Sequence, residues 1–258
     1  MALRKKGIGL EKAPPGKKKG NIAAMISLFV LFSLIASLVY SIVGLAFTAL
    51  DITMWASTHT KEDFIKISLQ CLLGISLIYL PGLLKKRWKI SIAGGIRLLY
   101  VLFLYAAIIL GEVRNFYRNF PHWDTLLHTC SGIMLGSFGF ELIDILNENK
   151  TIPVKLNKWF AALFSFCFAV TLDTFWEVIE FVMDLLMDLN MQQYSTYGGT
   201  VLTGRAALFD TMKDLVVDIL GAVFSCTVGF LALRKRETKN SQAGLPGVQL
   251  EAAKSGKL

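Results

Sequence analysis

Six runs of predominantly apolar residues occupy positions 22–50, 64–84, 90–110, 125–146, 159–183 and 212–233. Each meets or approaches the roughly 20 residues an α-helix needs to cross a hydrocarbon core about 30 Å thick. Backbone polar groups cannot be left unsatisfied in lipid, so runs of this length fold as helices. The expected fold is therefore all-α: a bundle of six transmembrane helices over 21–233, between a basic tail, 1–20, and a second tail, 234–258, both too poor in apolar residues to pack. Composition agrees. The chain is 54% hydrophobic and 18% charged, whereas soluble domains run near 25% charged, which excludes a soluble enzyme and an intrinsically disordered chain. The first run follows Lys17, Lys18 and Lys19 as a signal peptide's apolar region would. It is far longer than the roughly 7–15 residues such a region uses, so it reads as an uncleaved first helix. Cys71, Cys130, Cys167 and Cys226 stand singly in apolar runs; they form no metal-binding pair pattern and read as small core hydrophobes.

Basic residues set the orientation, because lysine and arginine concentrate in cytoplasmic connections. With the N-terminus inside, 20 of the 27 fall on the cytoplasmic side. Both termini are therefore expected in the cytoplasm, with the basic tails against anionic lipid. Trp55 and Trp123 then mark the outer boundary and Trp88 and Trp159 the inner one. The net charge of +8 is thus a separation across the membrane and not a surface for nucleic acid, since 13 of the 19 acids lie outside or in the outer half.

Charge inside the spans is the second strong feature, because an ionisable side chain at the bilayer centre costs roughly 3 kcal/mol on insertion scales. The fifth span carries Asp173, Glu177, Glu180 and Asp184, which share one helix face in a stripe roughly 16 Å long. The sixth carries Asp210, Asp214 and Asp218, and the fourth opens with Asp124 and His128. Below His128 the same face continues through Gly132 and Gly136, where a neighbouring backbone can approach closely. Topology puts Asp124, His128, Glu177, Glu180, Asp184, Asp210 and Asp214 in the outer half, with Asp173 nearer the midplane.

On their own, Asp184, Asp210 and Asp214 read as solvated residues at helix ends. Asp173, Glu177 and Glu180 lie inside the span and read as a polar site. Seven carboxylates on spans five and six face few cations: His128, Lys213, Arg205, Arg114 and Arg118. Buried carboxylates must be paired, protonated or bound to a cation, and oxygen ligands with one imidazole suit a divalent ion such as Mg2+, Mn2+, Fe2+ or Zn2+. Asp124, one turn before His128, is placed to orient its ring. The connection from Asp184 to Asp210 is long enough to cover the cluster. Serines 27, 33, 37 and 41 of span one have no histidine base and are expected to bond their own backbone. Pro81 reads as a terminator or kink.

The segment from Gly111 through Trp123-Asp124, His128 and Gly132, the Asp173-Thr-Phe-Trp-Glu177-Val-Ile-Glu180 helix and the Asp210-Thr-Met-Lys-Asp214 element continuing to Asp218 and Gly221 resemble the YjdF-type bacterial membrane-spanning proteins. The likeness runs from about residue 90 to 233. Its elements are Trp-Asp-x-x-x-His-x-x-x-Gly, Glu-x-x-Glu and Asp-Thr-x-x-Asp, in that order. The Asp-x-x-x-His opening alone is also similar to VanZ-like proteins. The resemblance implies a multi-pass protein of the bacterial plasma membrane with polar positions at Asp124, His128, Glu177, Glu180, Asp210, Asp214 and Asp218, and it implies no particular reaction.

The expected function is a divalent-metal site at the outer leaflet acting on a lipid-linked or envelope substrate. Its metal ligands are drawn from Asp124, His128, Asp173, Glu177, Glu180, Asp210, Asp214 and Asp218. Glu177, Glu180 and His128 are the candidate catalytic groups. A proton- or cation-coupled transporter is the alternative from another class, and a non-catalytic accessory protein whose polar cluster only joins helices is the third. Oligomeric state is not legible.

Overall fold

A computed structural model describes residues 17–50, 59–88, 90, 92–148, 156–196 and 198–243. Among these, six helical spans are long and apolar enough to cross a membrane and no strand forms. Trp55 and the 150–155 connection, used above to orient the chain, lie outside the described residues.

Helix α1 (Lys17–Ala49) packs along α2 (Lys61–Ile78), burying Val30 and Leu34 with Ile67 and Cys71. Three of its serines bond along their own helix as expected, Ser27 and Ser33 donating to carbonyls one turn back and Ser41 to the Leu38 carbonyl, and Ser41 also meets Ser68 Oγ at 2.8 Å. Thr60 starts α2 through a capping box with Asp63, which satisfies two backbone donors the helix cannot. The second span then breaks at Tyr79, and α3 (Leu80–Trp88) completes it. Pro81 explains the break: it has no N–H to give the Leu77 carbonyl, and the Tyr100 hydroxyl donates to that carbonyl instead at 2.8 Å.

The third span is α4 (Gly94–Leu104) running into a π-helical stretch, Tyr105–Val113, ended by Arg114 N–H donating to the Ile109 carbonyl. This wide winding was not anticipated. It presents Glu112 to Gln70 at 3.1 Å and Lys66 at 3.0 Å on α2. A short helix, α5 (Phe116–Asn119), leads into α6 (Trp123–Glu148), which is followed by α7 (Lys158–Met187) and α8 (Arg205–Ala243). Helix α8 continues past the expected boundary at 233, so 234–243 is helical.

Helices α6, α7 and α8 pack on one another, and α4 joins them to the α1–α2 pair. Glycine decides how closely. A Cβ at Gly132 would meet the Asp218 carbonyl oxygen, with Ala222 N at 3.0 Å, and one at Gly221 would meet the Thr129 carbonyl. Gly139 admits Ser165 of α7 in the same way. Gly132 and Gly136 thus act as the sequence suggested, and α6 and α8 cross in backbone contact beneath His128. The cysteine reading needs one correction. Cys71 and Cys226 are buried, but Cys167 is exposed on the lipid-facing side of α7.

Candidate functional site

Helix α6 begins, α7 ends and α8 begins at one end of the bundle, so the three polar stripes converge there. His128 is 8% exposed and stands at the centre. Its Nδ1 lies 3.0 Å from Asp218 Oδ2 and 3.8 Å from Glu177 Oε1, while Nε2 lies 3.7 Å from Asp124 Oδ1. Two groups of potential metal ligands therefore share this one ring: Asp124, His128 and Asp214, and His128, Glu177 and Asp218. Within each group the ligand atoms lie within 4.8 Å of one another; a bound zinc would need each of them at about 2.0–2.2 Å. The ring's orienting partner differs from expectation. The hydrogen bond at 3.0 Å is accepted by Asp218 on α8, because the helix crossing at Gly132 brings that carboxylate under the imidazole; Asp124 faces the other nitrogen.

Around this core each acid has a separate neighbour. Ser131 donates to Asp173 Oδ1 at 2.6 Å, and the Trp176 indole donates to Glu180 Oε1 at 2.9 Å along α7. Lys213 reaches Asp210 at 2.7 Å, Asp214 at 3.4 Å and Asp124 at 3.8 Å. Asp173, Glu180 and Asp210 thus stand beside the two groups and outside them. Of the cations proposed from sequence, Lys213 takes the role, and Arg205 lies exposed at the start of α8.

The reading of Asp184, Asp210 and Asp214 as solvated helix-end acids is overturned, because all three are buried. Asp184 accepts the Met191 and Gln192 backbone N–H groups at 2.8 and 2.9 Å. It thereby folds the α7–α8 connection back over the bundle end, and the segment closes on itself through an antiparallel bridge between Ser195 and Val201. Gln193 lands above the acids, its Nε2 donating to Asp210 Oδ1 at 3.1 Å and Asp124 Oδ2 at 3.4 Å. Gln193 has φ 48°, a left-handed conformation that costs a non-glycine residue energy.

Gln193, Ser131 and Tyr117 were not singled out from sequence. Tyr117 packs its ring on Gly111. Burial, then the negative charges of Glu112, Asp124, Glu180 and Asp214, hold its phenol well above the usual range. None is an ionisable residue inside a span, so no charge pattern along the sequence marks it.

Several acids of the centre have an oxygen without a hydrogen-bond donor among the described residues. Asp173, Glu177, Asp214 and Asp218 are each 2–4% exposed or less, and Asp173 Oδ2, Glu177 Oε1, Asp214 Oδ1 and Asp218 Oδ1 make no hydrogen bond. Buried charges are paired or hold metals. Lys213 forms ion pairs with three of these acids, Asp124, Asp210 and Asp214.

Fold and site together define a multi-pass membrane protein with a histidine–carboxylate centre inside one end of its helix bundle. Residues 26–235 match the family described as "Predicted membrane protein (DUF2238)", and the chain belongs to that family, in agreement with the YjdF-type resemblance. An uncharacterized protein of Thermotoga maritima is 28% identical over 129 residues, which cover 50% of this chain and 56% of the relative. The chain thus spans about half the length of that relative. No solved structure matches the chain.

Proposed function

We propose that the centre binds a divalent cation and uses it for hydrolysis or group transfer on a lipid-linked or envelope substrate, at the outer face of a bacterial plasma membrane. The observation that carries this reading is the set of buried carboxylate oxygens without a hydrogen bond around one imidazole. His128 also has a carboxylate on each ring nitrogen. A metal-bound histidine donates its other N–H to a carboxylate, which fixes the ring. The 3.0 Å bond from Nδ1 to Asp218 supplies that arrangement, leaving Nε2 with Asp124 and Asp214 to hold the ion. A mixed nitrogen and oxygen set suits Mn2+, Fe2+ or Zn2+ better than Mg2+. A bound ion there would lower the pKa of its water and polarise an acceptor oxygen. Glu177, with a free oxygen beside the ring, is placed to take a proton. Glu180, the other candidate base, accepts the Trp176 indole N–H at 2.9 Å and stands outside both ligand groups. Lys213 and Gln193 contact Asp210 and Asp124 from the side of the α7–α8 connection, where they suit an anionic group.

Orientation rests on the basic residues: both termini cytoplasmic, basic tails on anionic lipid, centre outside. The transport reading expects ionisable groups continuing through the other half of the bundle. Beneath Asp218 and Asp173, α6 and α8 meet through glycine, and the acids of α6 in that half are engaged elsewhere, Glu141 accepting the Ala93 N–H at 2.5 Å and Asp144 pairing with Arg236 at 3.5 Å. That arrangement favours chemistry at a local site.

The test is elemental analysis of detergent-purified protein beside Asp214→Asn and Asp124→Asn variants. The expected result is near-stoichiometric metal in the wild type, lost in both variants. Wild-type protein that neither retains metal nor takes it up on dialysis against Mn2+ or Zn2+ overturns the proposal, and cation-dependent pH changes in proteoliposomes would replace it with transport.

A further inference from the structure

We propose a second binding site, unrelated to the histidine centre, in which a groove between α6 and α8 at the opposite end of the bundle holds one acyl chain of a phosphatidylethanolamine lipid, with its headgroup on Arg236 and Asp144. The groove has a volume of about 310 Å³. It begins at Ile133, one residue below the Gly132 crossing that seals its inner end, and runs along α6 to Asp144. At 1.5 Å per residue this is about 16 Å, close to half of a hydrocarbon core about 30 Å thick. The groove is therefore as deep as one leaflet.

Its walls suit a hydrocarbon chain. Phe140, Phe224, Val228 and Leu233 line it. The polar residues among them are turned inward chemically: Ser137 donates to the Ile133 carbonyl at 2.7 Å and Ser225 to the Ala222 carbonyl at 3.1 Å. A chain lying there meets no unsatisfied polar group, and methylenes exchanged from lipid into the groove lose nothing.

The mouth supplies the choice of headgroup. Arg236 Nη1 and Asp144 Oδ2 stand 3.5 Å apart, with their side chains 66% and 50% exposed. An exposed pair of this kind contributes little, so its partners are available for exchange. Phosphatidylethanolamine offers the complementary pair: a phosphate, which guanidinium binds bidentately, and an ammonium that donates to a carboxylate. Inserting it keeps both protein charges compensated. Phosphatidylglycerol can also put its phosphate on Arg236, beside Arg234, Lys235 and Lys239, but it takes the guanidinium from Asp144 and offers no ammonium in return, and the trimethylammonium of phosphatidylcholine has no hydrogen to donate.

Full-length protein in mixed micelles of equal phosphatidylethanolamine, phosphatidylglycerol and phosphatidylcholine, analysed by native mass spectrometry, tests this. The wild type should retain one phosphatidylethanolamine in preference to the other two by about tenfold, as one charge-assisted hydrogen bond implies. Asp144→Asn should erase the preference over phosphatidylcholine. Ala232→Trp, which fills the groove and leaves both charges, should abolish retention of any lipid while thermal stability stays within a few degrees. Equal retention of the three lipids, preference for phosphatidylglycerol, or unchanged retention in Ala232→Trp would overturn the proposal. Should either variant unfold, Arg236→Gln on the exposed end of α8 gives the same reading through loss of the preference.

Discussion

Replacing Gly132 with alanine tests whether the α6–α8 crossing sets the geometry of the histidine centre. The added Cβ would meet the Asp218 carbonyl oxygen, with Ala222 N at 3.0 Å and Asp218 C at 3.1 Å, whereas ordinary contacts fall at 3.4–4 Å. Two helix backbones must therefore separate, since no flexible side chain can yield. Overpacking of this kind costs about 1–3 kcal/mol. Glycine-to-alanine exchange in a helix returns up to about 1 kcal/mol through propensity. Gly95→Ala isolates that second effect, because the same Cβ on α4 meets nothing within 4 Å. The Gly132→Ala chain should thus fall below Gly95→Ala by about 1–3 kcal/mol; at about 2–4 °C per kcal/mol for a chain of 150–250 residues, the gap in Tm is a few degrees or more. The same separation stretches the 3.0 Å bond between His128 Nδ1 and Asp218 and should weaken metal uptake along with stability. Thermal melts of both variants in one detergent, with metal uptake measured in parallel, decide the matter. A Gly132→Ala protein as stable as Gly95→Ala would refute the reasoning.

Three further outcomes are expected. Asp218→Asn should lower metal affinity by about 10–100-fold without abolishing binding, the effect of losing the carboxylate behind a ligating imidazole, as measured by equilibrium dialysis; complete loss would make Asp218 a direct ligand. Lys213→Gln removes the ammonium standing 2.7–3.8 Å from Asp210, Asp214 and Asp124, so the ion-free protein should melt lower and the same dialysis should show tighter metal binding. Asp184→Asn should speed hydrogen exchange at the Met191 and Gln192 amides, because each loses a charge-assisted bond worth about 1.5–3 kcal/mol, while amides in the middle of α7 stay protected.

The spans and the three polar stripes could be read from the amino acids alone because both follow from rules local to the chain. An apolar run of membrane length has no other fold in lipid, and carboxylates spaced by three and four residues must share a helix face whatever surrounds them. Chain direction then put Asp124 and His128, Glu177 and Asp214 at one end. The sequence also exposed Gly132 and Gly136 as a close-approach face, since small residues at i and i+4 permit nothing bulkier between helices.

Tertiary structure decided which partners meet. That Asp218 and not Asp124 bonds Nδ1 depends on the rotation and register of α8 against α6, which the glycine crossing fixes and no spacing within either helix encodes. The burial of Asp184, Asp210 and Asp214 followed from the connection folding back over the bundle end, held by two backbone N–H groups and Gln193. The π-helical winding that turns Glu112 toward Lys66 likewise had no periodic signature. Sequence determined what the helices carry and which end they carry it to. Contacts between helices, made by residues 90 positions apart as in His128 and Asp218, determined what those groups form together, because lateral register in a bundle is set by packing shape and not by the order of residues along a single helix.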